Sequence, residues 1–160
     1  MGKIVKIENE AIKKSLENTT RQYFVGNLSK PQEIEFVRDE RLEIGVSSYP
    51  DYKYEPTHVH DIATEYQYMI SGWTEYMDVD TGKIYEFRKG DFYAILPGTA
   101  YAQRVKSGTN ILFIKTPSIN DKQLVEGIDI DKVMGSDERM TMIANHIVAN
   151  HKSKTRNRQY

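Results

Sequence analysis

Apolar and polar residues alternate in short runs through the middle of the chain, a pattern that predicts half-buried β-strands. Turn-forming Gly, Asn, Asp and Pro separate the runs about every 8 to 12 residues. Strands are predicted at residues 21–28, 34–36, 42–46, 73–79, 84–87, 92–96, 101–105 and 111–115, besides the runs around His58 and Glu65. We expect 101–105 and 111–115 to form the last hairpin, and 34–36 and 42–46 to be an extra strand pair. Many short strands favour an antiparallel barrel or double sheet.

Helical patterns are confined to the two ends of the chain. Residues 8–18 repeat apolar positions at three and four with acidic residues early, and residues 136–148 carry an apolar stripe behind a Ser-Asp-Glu cap. A short helix is also predicted at 122–126. The expected organisation is an N-terminal helix and strand at 1–30, a barrel at 31–118, a helical extension at 119–151 and a basic tail at 152–160.

Composition adds few constraints to this picture. A chain of 160 residues with 39% hydrophobic and 28% charged residues fits one globular domain. The absence of cysteine excludes disulfides. No apolar run approaches a membrane span, and the charged start lacks a signal-peptide core, so we expect a cytoplasmic protein without membrane contact. The basic tail stands against an acidic remainder, which would repel nucleic acid, and we expect no nucleic-acid partner.

The candidate chemistry lies between Thr57 and Thr99. On a strand, His58 and His60 project from the same face, about 7 Å apart. Glu65 follows a short turn, so a hairpin would place its carboxylate opposite the two imidazoles. Two imidazoles and one carboxylate form a three-ligand site for a divalent metal, with positions left open for water or substrate. The ion could be Fe, Mn, Zn or Ni.

Two motifs in this stretch resemble the signatures of the cupins. The first is HxH-x4-E-x6-G, from His58 to Gly72, and the second is G-x5-LPG, from Gly90 to Gly98. The resemblance spans about residues 42 to 116 and implies an all-β, cupin-type antiparallel β-barrel (double-stranded β-helix or jelly roll), here with an N-terminal and a C-terminal helix. The sequence departs from the cupin pattern at three positions: Tyr52 for Gly, Tyr101 for His and Val105 for Asn.

The residue at the usual fourth-ligand position of the resemblance is Tyr101. It would bind a metal only after losing its proton, and otherwise its hydroxyl could orient substrate or act as a general acid. Glu65 is a second candidate for catalytic proton transfer. The candidate substrate-binding residues are Gln67, Gln103 and Trp73, because aromatic rings and amides together select polar rings such as sugars. The other histidines, His146 and His151, are expected to be exposed residues of the last helix.

These residues leave three functions open. The first, which we favour, is a metal-binding cupin enzyme acting on a small polar metabolite such as a carbohydrate derivative, of the isomerase, epimerase or dioxygenase type. The second is a non-catalytic small-molecule-binding cupin. The third is a metal-free sugar-nucleotide isomerase or epimerase. No phosphate-binding glycine loop, nucleophile elbow or cysteine nucleophile is present in the sequence. The tyrosine-rich strands and the terminal apolar helix suggest a homodimer.

Overall fold

The computed structural model describes residues 2–126, which form one short helix and eleven strands. In chain order, the elements are α1 (Asn9–Leu16), β1 (Arg21–Gly26), β2 (Val37–Arg38), β3 (Glu43–Tyr49), β4 (Lys53–His60), β5 (Thr64–Ser71), β6 (Trp73–Asp78), β7 (Ile84–Arg88), β8 (Phe92–Ile95), β9 (Tyr101–Val105), β10 (Thr109–Thr116) and β11 (Lys122–Leu124). The predicted N-terminal helix is therefore confirmed. The predicted helix at 136–148, the tail at 152–160, and His146 and His151 lie outside the described residues.

The strands form two sheets, in the orders β2-β1-β3-β10-β5-β8 and β11-β4-β9-β6-β7. Neighbouring strands are antiparallel except for the short β1–β2 pair. Between the sheets lies a core to which both contribute: Tyr49, Met69, Tyr93 and Ile111 from the first, and Tyr76, Tyr101 and Val105 from the second. The predicted all-β double sheet is confirmed. Within residues 2–126, no helix is long and apolar enough to cross a membrane.

Several strand partners differ from those expected, because the chain repeatedly crosses from one sheet to the other. β9 pairs with β4 and β6, whereas β10 pairs with β3 and β5, so the expected last hairpin is wrong. β3 lies between β1 and β10 rather than in an added pair, and residues 34–36 are not a strand. The short helix expected at 122–126 is also wrong, since Lys122–Leu124 pairs with β4 as an edge strand.

The alternation of polar and apolar residues is inverted on two strands. In β3 the buried residues include Glu43 and Ser47, while Ile44 and Val46 are only half-buried. In β5, Glu65 and Gln67 are each 5% exposed. Ser47 and Gln67 line a polar cavity between the sheets, whereas the Glu43 carboxylate pairs with Lys115 at 3.2 Å. The barrel thus requires buried polar side chains, and each one needs a partner.

One turn of this fold admits only glycine. Gly72 joins β5 to β6 with a φ of +82°, and a Cβ there would lie 2.5 Å from the Cα of Thr109 and 2.3 Å from its Oγ1. The Thr109 hydroxyl is itself fixed, because it accepts a hydrogen bond from the Trp73 N–H and donates one to the Trp73 carbonyl, both at 3.0 Å. A side chain at position 72 therefore meets backbone that cannot easily withdraw.

We expect Gly72→Ala to lower the free energy of unfolding by about 3 kcal/mol, the sum of left-handed strain and overpacking. Gly90→Ala is the matched control, since Gly90 has a φ of +92° but nothing within 4 Å of an added Cβ. Strain alone predicts a loss of about 1 kcal/mol for the control. Urea denaturation of both variants measures the difference. Equal losses would show that the contact with Thr109 has no energetic effect.

Candidate metal centre

A β-bulge in β4 turns both histidines toward the interior. Glu55 pairs with Gln103 of β9, but the next regular pair is His58 with Tyr101, so one extra residue of β4 is inserted between them. Pro56 lies in this insertion, where its missing N–H leaves no ladder hydrogen bond unmade. The bulge shifts the alternation by one position, and the result is that Glu55, His58 and His60 all face inward.

His58 is held so that one ring nitrogen points into the site. Its Nδ1 lies 2.7 Å from the Pro56 carbonyl oxygen, and its Nε2 lies 2.7 Å from the Tyr101 hydroxyl. Burial lowers the pKa of His58 to about 4, so the ring is neutral at pH 7. The carbonyl oxygen can only accept, and Nδ1 therefore carries the proton. This leaves a lone pair on Nε2 directed at the site.

His60 is oriented by Asp121, a residue that the sequence analysis missed. The His60 Nδ1 lies 2.7 Å from Asp121 Oδ1, while Oδ2 accepts hydrogen bonds from the Ile62 and Ala63 N–H groups at 2.9 and 2.8 Å. Burial alone would raise the pKa of Asp121, but these donors hold it at about 2. The ionised carboxylate thus accepts a hydrogen bond from the Nδ1–H, and His60 Nε2 faces the site.

Glu65 reaches the histidines by a different route from the one expected. β4 and β5 belong to different sheets, so the predicted hairpin is wrong, and Glu65 instead faces the two imidazoles across the barrel interior. Its Oε2 accepts a hydrogen bond from the Tyr101 hydroxyl at 2.8 Å, and its Oε1 lies 3.8 Å from His60 Nε2. One ligand atom from each of His58, His60 and Glu65 lies within 4.8 Å of the other two.

The donors and acceptors of this cluster fit a bound cation. Burial, followed by the charge of Glu65, raises the pKa of Tyr101 well above its usual value, so the phenol keeps its single proton. The hydroxyl can donate this one proton to either Glu65 Oε2 or His58 Nε2 but not to both, although both acceptors lie within 2.8 Å of its oxygen. One contact is therefore lone pair against lone pair. A divalent ion with bonds of about 2.0–2.2 Å to imidazole nitrogen and carboxylate oxygen would relieve this excess of acceptors.

A polar cavity of about 220 Å³ adjoins the cluster and reaches His58 and Tyr101. Gln67 and Gln103, two of the predicted substrate-binding residues, line it. Trp73, the third, does not, because it lies on the face of β6 opposite Tyr76 and packs beneath Arg104 and Lys106, at 5.3 and 4.3 Å from its ring. The structure therefore brings together every predicted site residue except Trp73.

The comparisons with known proteins agree with this fold. No protein-family profile matches the chain. A DMSP lyase from Ruegeria pomeroyi superposes with a TM-score of 0.53 at 19% identity, over 68% of this chain and 53% of that protein. An RmlC-like cupin protein from Desulfovibrio desulfuricans has a TM-score of 0.46 at 15% identity, over 62% and 82% of the two chains. The described residues thus share the fold of the DMSP lyase, around a histidine and carboxylate cluster able to hold a metal.

A local sequence match points to a different kind of protein. Over 49 residues, or 29% of its length, the chain is 51% identical to the endonuclease subunit of a type I restriction enzyme from Staphylococcus saprophyticus. The chain spans about 5% of the length of that subunit. So small a share of the relative does not define a family for the whole chain.

The low pKa of His58 predicts a loss of stability in acid. An unfolded His58 takes up a proton below about pH 6.5, whereas the folded one stays neutral down to about pH 4. The unfolded state thus binds more protons in this window, and the free energy of unfolding falls by about 3 kcal/mol as the pH falls through it. Urea denaturation with a chelator present, on the wild type and on His58→Gln, measures this contribution. The same slope in both proteins would contradict it.

The position of Asp121 predicts an effect on metal affinity. Asp121→Asn keeps the side-chain shape but weakens the hold on the His60 ring, and we expect metal affinity to fall about 10- to 100-fold. Asp61→Asn is the matched control, since Asp61 lies in the β4–β5 loop that Asp121 binds but is exposed and bonds to Gln123. Competition with a fluorescent chelator measures both affinities. An Asp121→Asn affinity equal to that of the control would refute the orienting role.

Proposed function

We propose that this protein is a metal-dependent cupin-type enzyme that acts on a small polar metabolite. The observation that carries the proposal is the orientation of the two histidines. Pro56 and Asp121 each bind the Nδ1 atom of one ring, so that both Nε2 atoms face Glu65 inside the barrel. Outer partners of this kind are characteristic of histidines that bind a metal.

His58, His60 and Glu65 are the residues that would hold the ion. Two imidazoles and one carboxylate suit zinc, iron, manganese or nickel better than magnesium or calcium, which prefer oxygen ligands. When bound, such an ion polarises a carbonyl or hydroxyl oxygen of the substrate as a Lewis acid. The three residues are 5–7% exposed, so the reaction would proceed largely shielded from bulk water.

Tyr101 and Glu65 are suited to move protons at this site. The raised pKa of Tyr101 keeps its hydroxyl protonated, which makes it a hydrogen-bond donor and general acid toward a substrate oxygen. Glu65, 2.8 Å from that hydroxyl, can accept a proton from a carbon next to a carbonyl. This pairing favours isomerisation or epimerisation over oxygenation. The DMSP lyase that shares the fold is, by its name, also an enzyme with a small-molecule substrate.

A metal-free acid–base enzyme is the second candidate, and the hydrogen bonds around Tyr101 favour it. The hydroxyl contacts His58 and Glu65 at once, so one proton donor lies between two possible proton acceptors. In this alternative, neutral His58 would accept a proton and Tyr101 would donate one. The two candidates differ in whether the purified protein needs a metal.

Metal content of untagged protein separates the two candidates. We expect about one transition-metal ion per chain in the wild type and less than about a tenth of that in the His58→Ala/His60→Ala variant, because two of three ligands are lost. The matched control is His146→Ala/His151→Ala, which removes the other two histidines of the chain. Plasma mass spectrometry quantifies the metals, and circular dichroism checks the fold.

Equal metal content in wild type and the His58→Ala/His60→Ala variant would overturn the metal assignment. An assay for proton exchange between solvent and candidate sugars or keto compounds then tests the chemistry. Exchange that is lost on chelation and restored by one metal supports the first candidate. Exchange that survives complete metal removal, but not Tyr101→Phe, supports the metal-free enzyme.

A further inference from the structure

The polar cavity beside the candidate metal centre carries an excess of positive charge. Arg21, Lys53 and Lys122 line it, and Glu55 is the one carboxylate among its described lining residues. Lys53 is paired with Glu55 at 3.4 Å, so its charge is already offset. Arg21 and Lys122 are the two other cations that line the cavity.

Arg21 is held in place by neutral groups, and the Glu65 carboxylate acts on its charge only from a distance, without an ion pair. Its Nε donates to the Ser47 hydroxyl at 3.2 Å, and its guanidinium lies 4.7 Å from the centre of the Phe113 ring. The ring occupies space that a side chain at Gly45 would fill, since a Cβ there would lie 2.5 Å from Phe113. None of the ion pairs within residues 2–126 includes Arg21. Ser47 of β3 and Phe113 of β10 therefore fix the guanidinium without forming an ion pair with it.

Lys122 approaches the same cavity from the opposite sheet. It pairs with His60 across β11 and β4, and paired residues share a face, so this exposed lysine lies on the cavity side of its edge strand and lines the cavity. Its ammonium group makes no ion pair or hydrogen bond with any residue from 2 to 126. Burial and the nearby charge of Arg21 lower the pKa of Lys122, as expected for two cations that repel each other across a cavity.

Gln67 adds an uncharged donor to this cavity. Its carbonyl oxygen accepts hydrogen bonds from the hydroxyls of Tyr93 and Tyr76, at 2.8 and 3.1 Å, which fixes the orientation of the amide. Its NH₂ group donates to nothing within residues 2–126. A ligand that accepts hydrogen bonds from these groups must supply acceptor oxygens. An anionic ligand would also offset the charges of Arg21 and Lys122.

We propose that the cavity binds a small organic anion through a carboxylate held between Arg21 and Lys122, with the rest of the molecule directed at Tyr101 and His58. The planar guanidinium fork matches a carboxylate, and Lys122 supplies the second charge. The inference deepens the proposed function by naming its substrate class, and it rests on that function only in treating the bound anion as the substrate. A sugar acid belongs to this class, whereas a neutral sugar does not.

The test measures binding rather than turnover. Isothermal titration calorimetry on the untagged, chelator-treated full chain compares short mono- and dicarboxylates with their neutral amides and with inorganic phosphate. We expect at least one carboxylate to bind about tenfold or more tightly than its amide and more tightly than phosphate, with an affinity that falls as salt is added. Equal binding of acid and amide, tighter binding of phosphate, or no binding by any carboxylate would overturn the proposal.

Charge variants identify the residues responsible. Lys122→Gln, on an edge strand, is expected to weaken carboxylate binding about tenfold. Lys53→Gln should change it less because of the Glu55 pair, and Lys83→Gln, outside the cavity, should not change it. Arg21→Gln should abolish binding, and if it fails to fold, Lys122→Gln alone decides. A Lys122→Gln affinity equal to that of Lys83→Gln would refute the assignment.

Failure of this inference can be told apart from failure of the proposed function. Charge-dependent carboxylate binding by a protein that holds no metal would leave the anion site standing and remove the metal. Normal metal content without carboxylate binding would leave the metal centre standing and remove the anion site.

Discussion

Everything at the candidate site depends on how the barrel satisfies polar groups that it buries. Glu65, His58 and His60 lie between two sheets with little access to water, where an unpaired polar group costs about 1–3 kcal/mol. Each of them has a fixed partner: Tyr101 for Glu65, the Pro56 carbonyl for His58 and Asp121 for His60. These bonds leave the cluster with more lone pairs than protons, which is the condition that a cation relieves.

Asp121 links the segment before β11 to the end of β4 and to the loop that follows it. Its carboxylate bridges the His60 ring and the backbone N–H groups of the loop between β4 and β5. Strand β11 follows immediately and pairs with β4, so the same segment also brings Lys122 to the cavity. The stretch from Asp121 to Leu124 therefore positions one histidine and one of the cations that line the cavity. The metal centre and the proposed anion site share this support.

The sequence predicted which residues form the site better than it predicted which strands bring them together. The HxH and Glu spacing selected three residues that do converge, yet the assumed hairpin was wrong, because Glu65 comes from the opposite sheet. The alternation of Ile44 and Val46 with their neighbours predicted a strand correctly, but the more buried face is the one that carries Glu43 and Ser47. Alternation shows that two faces differ, and only the packing of the second sheet decides which one is inside. The prediction that Trp73 lines the site was wrong for a related reason. An aromatic residue close in sequence to the site residues can lie on the other face of its strand.

By itself, the sequence determined the strand-rich fold, the N-terminal helix and the identity of the histidine, glutamate and tyrosine cluster, because these follow from local periodicity and from short motif spacings. Only the tertiary structure decided the strand partners, the role of Asp121 and the meeting of Arg21 with Lys122. Asp121 lies 61 residues from the His60 ring that it orients, and Arg21 comes from the first strand. No local pattern encodes such contacts, since they arise when two sheets close on each other and bring distant charges into one cavity.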